Sequence, residues 1–293
     1  MDINYELYKV FYHVASTLSF SEASKQLFIS QSAVSQSVKT LERKLDQILF
    51  IRSTKKVQLT PEGEILLRHV EPAMHLIQRG ESQLLESAST GGQIRIGASD
   101  TICRYFLVPY IKRFHEAFPG AHIKVTNATS IHSVELLKSG QVDFIVVNSP
   151  NSYLGSSASV KRIKLFRDIF LASSDFSSLR RKTLSFSQLL EYPILMLDKK
   201  STTSEFLHSQ FQQHHLDLVP EVELSSNDLL IDLARIGLGI AFLPDYCIPS
   251  DDPNLFVVQT EEELPMRELL AVHNSRIPLS KAAAAFLDYF DEI

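Results

Sequence analysis

The sequence predicts an α/β protein in three parts: an N-terminal winged helix-turn-helix, a long linker helix, and a C-terminal two-lobed α/β domain. Three observations predict it. Residues 5–45 carry helical apolar stripes punctuated by capping residues, followed by two short apolar runs around a basic tip. Thr60 and Pro61 then open a stripe that continues to about Ser87. Beyond "STGG", Ser89 to Gly92, strand-like runs alternate with helical segments for about 200 residues, a length that invites division into two lobes.

Leu7, Phe11, Val14 or Ala15, and Leu18 give a first helix from about Tyr5 to Thr17. In "SFSE", Ser19 and Glu22 are spaced as a capping box, opening a short helix through Leu27 with Ala23 and Leu27 inward. Ser30 is the N-cap of a third helix, in which Val34, Val38, Leu41 and Leu45 form one stripe. With "FIS" between them, the second and third helices make a helix-turn-helix. "LFIRSTKKVQLT" reads as a two-stranded wing. Thr60 and Pro61 then start a long helix as N-cap and first residue. Along it Leu66, Val70, Ala73, Ile77 and Leu84 lie near heptad spacing, with Gly80 a weak point. At ~1.5 Å per residue this helix is roughly 40 Å long, more than the small domain before it can cover. A partner chain is the expected cover, hence a homodimer through the linker helix. Farther on, "QIRIGAS", "HIKVTNA", "VDFIVVN", "PILML", "EVELSS" and "GIAFLP" read as strands, and Val108 to Phe118, Ile131 to Leu137 and Leu229 to Ile236 as helices, which argues a mostly parallel sheet.

Composition sets the remaining bounds. The 293 residues, 44% hydrophobic and 22% charged, have the make-up of a globular protein. No apolar run approaches the ~18–20 residues that cross a bilayer, and "MDINYELYKV" lacks the basic-then-apolar pattern of a leader, so a cytoplasmic protein without membrane association is expected. Two cysteines, Cys103 and Cys247, are too few for a disulfide framework and read as buried thiols. Ten histidines include no HExxH or Cys/His cluster, and neither GxSxG, a P-loop, GxGxxG nor a nucleophile-base grouping is present. No metal, no cofactor and no enzymatic activity are expected.

The net charge of −5 is unevenly placed. Residues 1–90 hold ten basic and ten acidic residues, whereas residues 91–293 hold 19 against 24. Lys39, Arg43, Lys44, Arg52, Lys55 and Lys56 lie close together against only Glu42 and Asp46, a local surplus that a phosphate backbone would meet. On the third helix, Ser32, Gln36, Lys39 and Arg43 form a stripe opposite the apolar one, with Ser35 at its flank. The second helix of a helix-turn-helix enters the major groove, where Gln and Ser can serve base edges. Lys39 and Arg43, with Arg52, Lys55 and Lys56 of the wing, suit phosphates, and one wing residue could enter the minor groove. A polar outer face alone would be ordinary. Together with the turn and the basic wing it points to double-stranded DNA.

The chain resembles the LysR-type transcriptional regulators. "SFSEASKQLFISQSAVSQSVKTLERKL" and "LFIRSTKKVQLTPEGE" match the family's winged helix-turn-helix signature, and "GQIRIGAS", "LVPYIKRFHEAFPGAHIKV", "LLKSGQVDFIVV" and "GLGIAFLPDY" its effector domain. The resemblance implies that Gln31, Ser32, Ser35 and Gln36 read bases while Arg52 and its neighbours hold the DNA backbone or minor groove. Three positions depart from the pattern: Ser24 where a second Ala is usual, Gln36 where Arg is frequent, and Asp46 where Gly is usual. The resemblance also implies a tetramer of two dimers and a periplasmic-binding-protein-like effector domain, two lobes joined by crossing strands. The crossings are expected near Ile163 to Phe170 and Arg267 to Val272. The domains are then 1–59, winged helix-turn-helix; 60–91, dimerising helix and hinge; and 92–293, effector binding, with lobe one 92–163 plus 268–293 and lobe two 164–267.

Open α/β sheets bind ligands beyond the carboxyl ends of their strands. Those ends are rich in hydroxyls: Ser99 and Thr101, Thr129 and Ser130, and Ser201, Thr202 and Thr203 with Ser204; Asn227 is also a candidate. Several precede helices, whose free N–H groups favour an anion, so a small carboxylate effector is expected. Any one hydroxyl alone would be an ordinary N-cap; three clusters around one cleft argue ligand contact. Asp100 and Asp198 lie among them and would repel an anion or welcome an amine. The alternative is a regulator that responds to redox state or a protein partner without a metabolite, with Cys103 and Cys247 its only redox candidates.

Overall fold

The computed structural model describes residues 3–52, 56–86, 92–248 and 252–291. Lys55 and the rest of the expected wing tip through Ser53, together with Ser87 and most of the "STGG" hinge, lie outside the described residues. The chain divides into two compact units, Met1–Leu85 with Ser139–Gln141, and Glu86–Lys138 with Val142–Ile293. No helix among the described residues is long and apolar enough to cross a membrane.

The first unit opens with α1 (Tyr5–Thr17), α2 (Phe20–Leu27) and α3 (Gln31–Leu45). Local capping explains the starts. Ser19 Oγ accepts from Glu22 N and Ser30 Oγ from Ala33 N, both at 3.2 Å, each satisfying a first-turn donor. All three helices stop on residues other than glycine in the left-handed conformation, Leu18, Phe28 and Asp46. Phe11, Val14, Ala23, Val34, Val38 and Leu41 are fully buried together, so the apolar stripe of α3 is seated as its spacing requires. β1 (Phe50–Arg52) and β2 (Val57–Leu59) pair antiparallel, Phe50 opposite Leu59.

Thr60 locks this wing to α4 (Pro61–Glu86). Its hydroxyl donates to Ile48 O at 2.6 Å and accepts from Gly63 N at 3.0 Å. Gly63 is required there, because a Cβ would stand 2.2 Å from Leu49 O. The heptad-like stripe of α4 is divided. Leu66 and Val70, with Leu67 and Met74, pack into the domain's own core, whereas Ala73, Ile77 and Leu84 are exposed, as are Ile65 and Leu76.

The second unit contains two mixed sheets. One has the order β4-β3-β5-β13-β6, made of β3 (Gln93–Ala98), β4 (His122–Asn127), β5 (Phe144–Asn148), β6 (Ala158–Phe166) and β13 (Arg267–Asn274). The other has the order β10-β9-β11-β7-β12-β8, made of β7 (Asp168–Ser173), β8 (Thr183–Leu184), β9 (Ile194–Leu197), β10 (Val222–Leu224), β11 (Ile240–Pro244) and β12 (Leu255–Thr260). β3 runs parallel to β4 and β5, and β9 parallel to β10 and β11, while β13 and β7 run antiparallel to their neighbours. The sheets are therefore less parallel than the strand-helix alternation suggests, because the strands that pass between them must reverse. The chain crosses at Arg167 and returns over residues 261–266. The return falls before the Arg267–Val272 stretch expected to hold it, since Arg267 already pairs with Phe166.

Flanking helices are α5 (Asp100–Ile102), which continues through a π-turn at Cys103–Leu107 into α6 (Val108–Ala117), then α7 (Ser130–Lys138), α8 (Phe186–Leu189), α9 (Thr202–Gln213), α10 (Asn227–Arg235) and α11 (Lys281–Asp288). The helix expected from Val108 thus begins eight residues earlier, at the Ser99 cap, whose Oγ accepts from Ile102 N. Phe106, Phe114, Phe144, Phe166 and Phe286 anchor the core on one sheet, and Phe170, Phe186, Phe211 and Phe242 that on the other.

Candidate functional site

The polar side of α3 stands open. Gln31, Ser32, Gln36, Lys39 and Arg43 are exposed, and Ser35 is half-buried. Gln31, Ser32 and Ser35 share one surface hollow with Phe20, Arg52 and Val57, so the start of α3 and the wing form a common surface. The side chain of Arg52 turns onto the domain itself: Nη1 donates to Ser35 Oγ at 3.1 Å, Nη2 meets Glu42 Oε2 at 3.2 Å, and the guanidinium lies 4.6 Å from the Phe20 ring centre. Ser32 Oγ lies 2.9 Å from Ser30 Oγ. Lys56 is exposed at the start of the return strand. Glu42 is a residue the sequence reading used only as a charge. Its Oε1 accepts from Leu49 N at 3.0 Å and Phe50 N at 3.3 Å, tying the wing to α3. Phe28, in the turn before α3, is 94% exposed.

In the second unit a cleft of about 110 Å³ gathers every candidate ligand residue: Ser99, Thr101, Thr129, Ser130, Ser201, Thr202, Thr203 and Asn227. Asp100 and Asp198 line it as well, with Asn127, Asn148, Leu197, Ser225 and Ser226. The residues come from the carboxyl ends of β3, β4, β5, β9 and β10 and from the starts of the helices that follow. Asn127 and Asn148 close their strands, and the strand-end rule that picked out the hydroxyls would have found them. Among the described residues of this lining there is no Lys, Arg or His.

Several of these groups already have partners. Ser99, Thr129 and Ser201 cap helices through Ile102 N, His132 N and Ser204 N. Ser130 Oγ accepts from Asn148 N at 3.2 Å. Asn227 Nδ2 donates to Thr101 Oγ1 at 3.0 Å, a bond that joins residues beside the two sheets. Next to it Tyr105 Oη donates to Asp228 Oδ1 at 2.5 Å, and Arg104 lies 3.6 Å from the same oxygen. Two cleft acceptors, Asn148 Oδ1 and Asn227 Oδ1, are buried without a hydrogen-bond partner among the described residues.

Behind Thr203 sits a buried pair the sequence reading did not single out. Arg267 and Asp168 are 1% exposed each; Arg267 Nη1 meets Asp168 Oδ2 at 2.6 Å and donates to Thr203 Oγ1 at 3.2 Å, and Nε donates to Ser149 O at 2.6 Å. Burial pushes the Asp168 carboxyl above the ordinary carboxylate value and Arg267 pulls it back. The cysteines are held protonated. Burial, with the Asp100 carboxylate, raises the Cys103 thiol to about 11, and deeper burial raises Cys247 further. Among the described residues no group of His, Cys, Asp and Glu could hold a metal ion.

Comparison with known proteins matches these two units separately. The family described as "Bacterial regulatory helix-turn-helix protein, lysR family" matches residues 5–64, and "LysR substrate binding domain" matches residues 87–292. The HTH-type transcriptional activator CmpR of Synechocystis sp. is 26% identical over 290 residues, covering 96% of this chain and 93% of that protein. Full-length CbnR complexed with its target DNA superposes with a TM-score of 0.68 at 16% identity, covering 99% of both chains. The regulatory domain of Synechocystis PCC6803 CcmR in complex with 2-PG superposes with a TM-score of 0.62 at 19% identity, covering 68% of this chain and 95% of that one. The chain belongs to the LysR family of DNA-binding transcriptional regulators, with a helix-turn-helix domain at its N-terminus and an effector-binding domain after it.

Proposed function

We propose that this regulator reads a specific DNA site with α3 and the wing, and that a small carboxylate held in the cleft changes those contacts. Gln31, Ser32, Ser35 and Gln36 read base edges; Lys39, Arg43, Arg52, Lys55 and Lys56 hold phosphates or the minor groove. Ser99, Thr101, Thr129, Ser130, Ser201, Thr202, Thr203 and Asn227 hold the effector. The observation that carries the reading is the convergence of these eight residues, chosen from strand ends, on one cleft. Domain division at 1–59, 60–91 and 92–293 belongs to the same proposal; the lobes expected at 92–163 plus 268–293 and at 164–267 part instead at the crossovers, Arg167 and residues 261–266. So does a homodimer through α4, supported by the exposed Ala73, Leu76, Ile77 and Leu84, and its pairing into a tetramer. An effector acts only through unequal affinity for two states of the protein. The raised Cys103 and Cys247 thiols speak against the redox alternative.

Selection of sites from a random duplex pool, followed by gel-shift titration of the full-length protein with and without small carboxylates, tests the reading. A preferred site whose affinity or footprint changes with one of the carboxylates is expected. Absence of any sequence preference at moderate salt, with folded dimer present, refutes the DNA reading.

A further inference from the structure

We infer that the cleft is built for a zwitterion, a small free α-amino acid, and not for a plain carboxylate; the inference rests on the cleft being the effector site. Its anion end is supplied by helix starts. α9 has twelve residues and α7 nine, and with Ser201 and Thr129 each taking one donor, the remaining first-turn N–H groups suit a carboxylate.

The second half of the site calls for the opposite. Asn148 and Asn227 are 8% and 4% exposed, both line the cleft, and the carbonyl oxygen of each has no partner among the described residues. A buried acceptor needs a donor. A carboxylate has none at neutral pH, and an ammonium has three. Asp100 and Asp198 add two carboxylates to the same lining, in which the described residues include no Lys, Arg or His to balance them. A dicarboxylate or a phosphate would meet that charge uncompensated, whereas an α-ammonium group is attracted to it and can satisfy the asparagine oxygens. The volume of about 110 Å³ suits a small ligand as a whole. It falls well short of the ~300 Å³ at which drug-sized sites begin.

The test titrates the full-length protein, by calorimetry and thermal shift, with three sets of probes: the twenty free α-amino acids, the corresponding α-hydroxy acids, and acetate and succinate. One or more small amino acids should bind, with the hydroxy-acid counterpart at least ~10-fold weaker because charge-assisted hydrogen bonds are lost. Asp100→Asn, at an exposed position, and Asn148→Ala should each weaken the amino acid by roughly tenfold, while acetate holds or tightens with Asp100→Asn and is unchanged by Asn148→Ala. If a hydroxy acid or succinate binds as tightly as every amino acid, or Asp100→Asn changes nothing, the zwitterion is overturned and the cleft remains the effector site. If no probe of the three sets binds at millimolar concentration, both readings fall.

Discussion

Glu42 makes the connection between the reading helix and the wing a matter of one side chain, and its truncation has a calculable effect. Glu42→Ala removes the acceptor for Leu49 N and Phe50 N, residues 1% and 3% exposed, and the partner of Arg52. One orphaned buried donor costs ~1–3 kcal/mol, and an ion pair this close to the surface adds up to about 1 kcal/mol. With two such donors orphaned, a loss of at least about 2 kcal/mol follows, equivalent to a ~30-fold or greater fall in amide protection if these groups exchange by local opening. Hydrogen exchange on peptides spanning residues 46–60 of the full-length protein measures it directly. Glu42→Gln keeps a carbonyl oxygen for both amides and drops only the charge, so it should lose less than about 1 kcal/mol.

The same pair separates two roles for Arg52. In the free protein its guanidinium is neutralised by Glu42 and bonded to Ser35. Glu42→Gln releases that charge while the wing stays anchored, so DNA binding should hold or tighten and the salt slope should steepen by up to about one phosphate contact. Equal loss of protection in the Ala and Gln variants, or none in either, would refute the anchoring role of Glu42.

On α3, Gln36→Ala should relax preference at one base position, whereas Lys39→Ala should weaken binding evenly across sequences and flatten the salt dependence; gel shifts on single-base variants of the selected site distinguish them. Asp46 takes φ 52° where most side chains are strained, so Asp46→Gly should stabilise the first unit by about 0.5–1 kcal/mol in urea unfolding. Ile77→Asp, at an exposed apolar position of α4, should shift the protein toward monomer in sedimentation and leave the helical circular dichroism in place. With its thiol at about 11, Cys103 is protonated at neutral pH and gains reactivity only as pH rises. At pH 8 its alkylation should run about two orders of magnitude slower than that of an ordinary thiol with a pKa near 8.5, and should rise tenfold per pH unit.

Signals confined to a few residues were legible in the sequence. Ser19, Ser30 and Thr60 cap the helices they were expected to cap, because a side chain bonding three residues ahead needs no tertiary context. Helix ends were harder. Leu18, Phe28 and Asp46 adopt the left-handed stop without glycine, so each end had to be located from the cap that follows. The start of the helix at Asp100 was missed because the π-turn at Cys103–Leu107 interrupts the 3.6-residue period. The Arg267–Asp168 pair joins residues 99 apart, and local pattern carries no trace of it. The eight candidate ligand residues were found by strand polarity, and the same rule would have added Asn127 and Asn148.

Strand polarity also explains why the cleft and the crossovers are coupled. β3, β4 and β5 deliver their carboxyl ends to the cleft from one sheet, and β9 and β10 theirs from the other, because each set is parallel. The strands that connect the sheets reverse direction, so the starts of β7 and β13, not their ends, come near the same place. Those starts are Asp168 and Arg267. Their buried pair therefore ties the two crossovers together, and Arg267 continues to Thr203 in the first turn of α9. Neither charge can be removed alone without leaving its partner uncompensated at a cost of ~3–5 kcal/mol. Thr203, at the start of α9, thus shares the guanidinium that joins both crossovers.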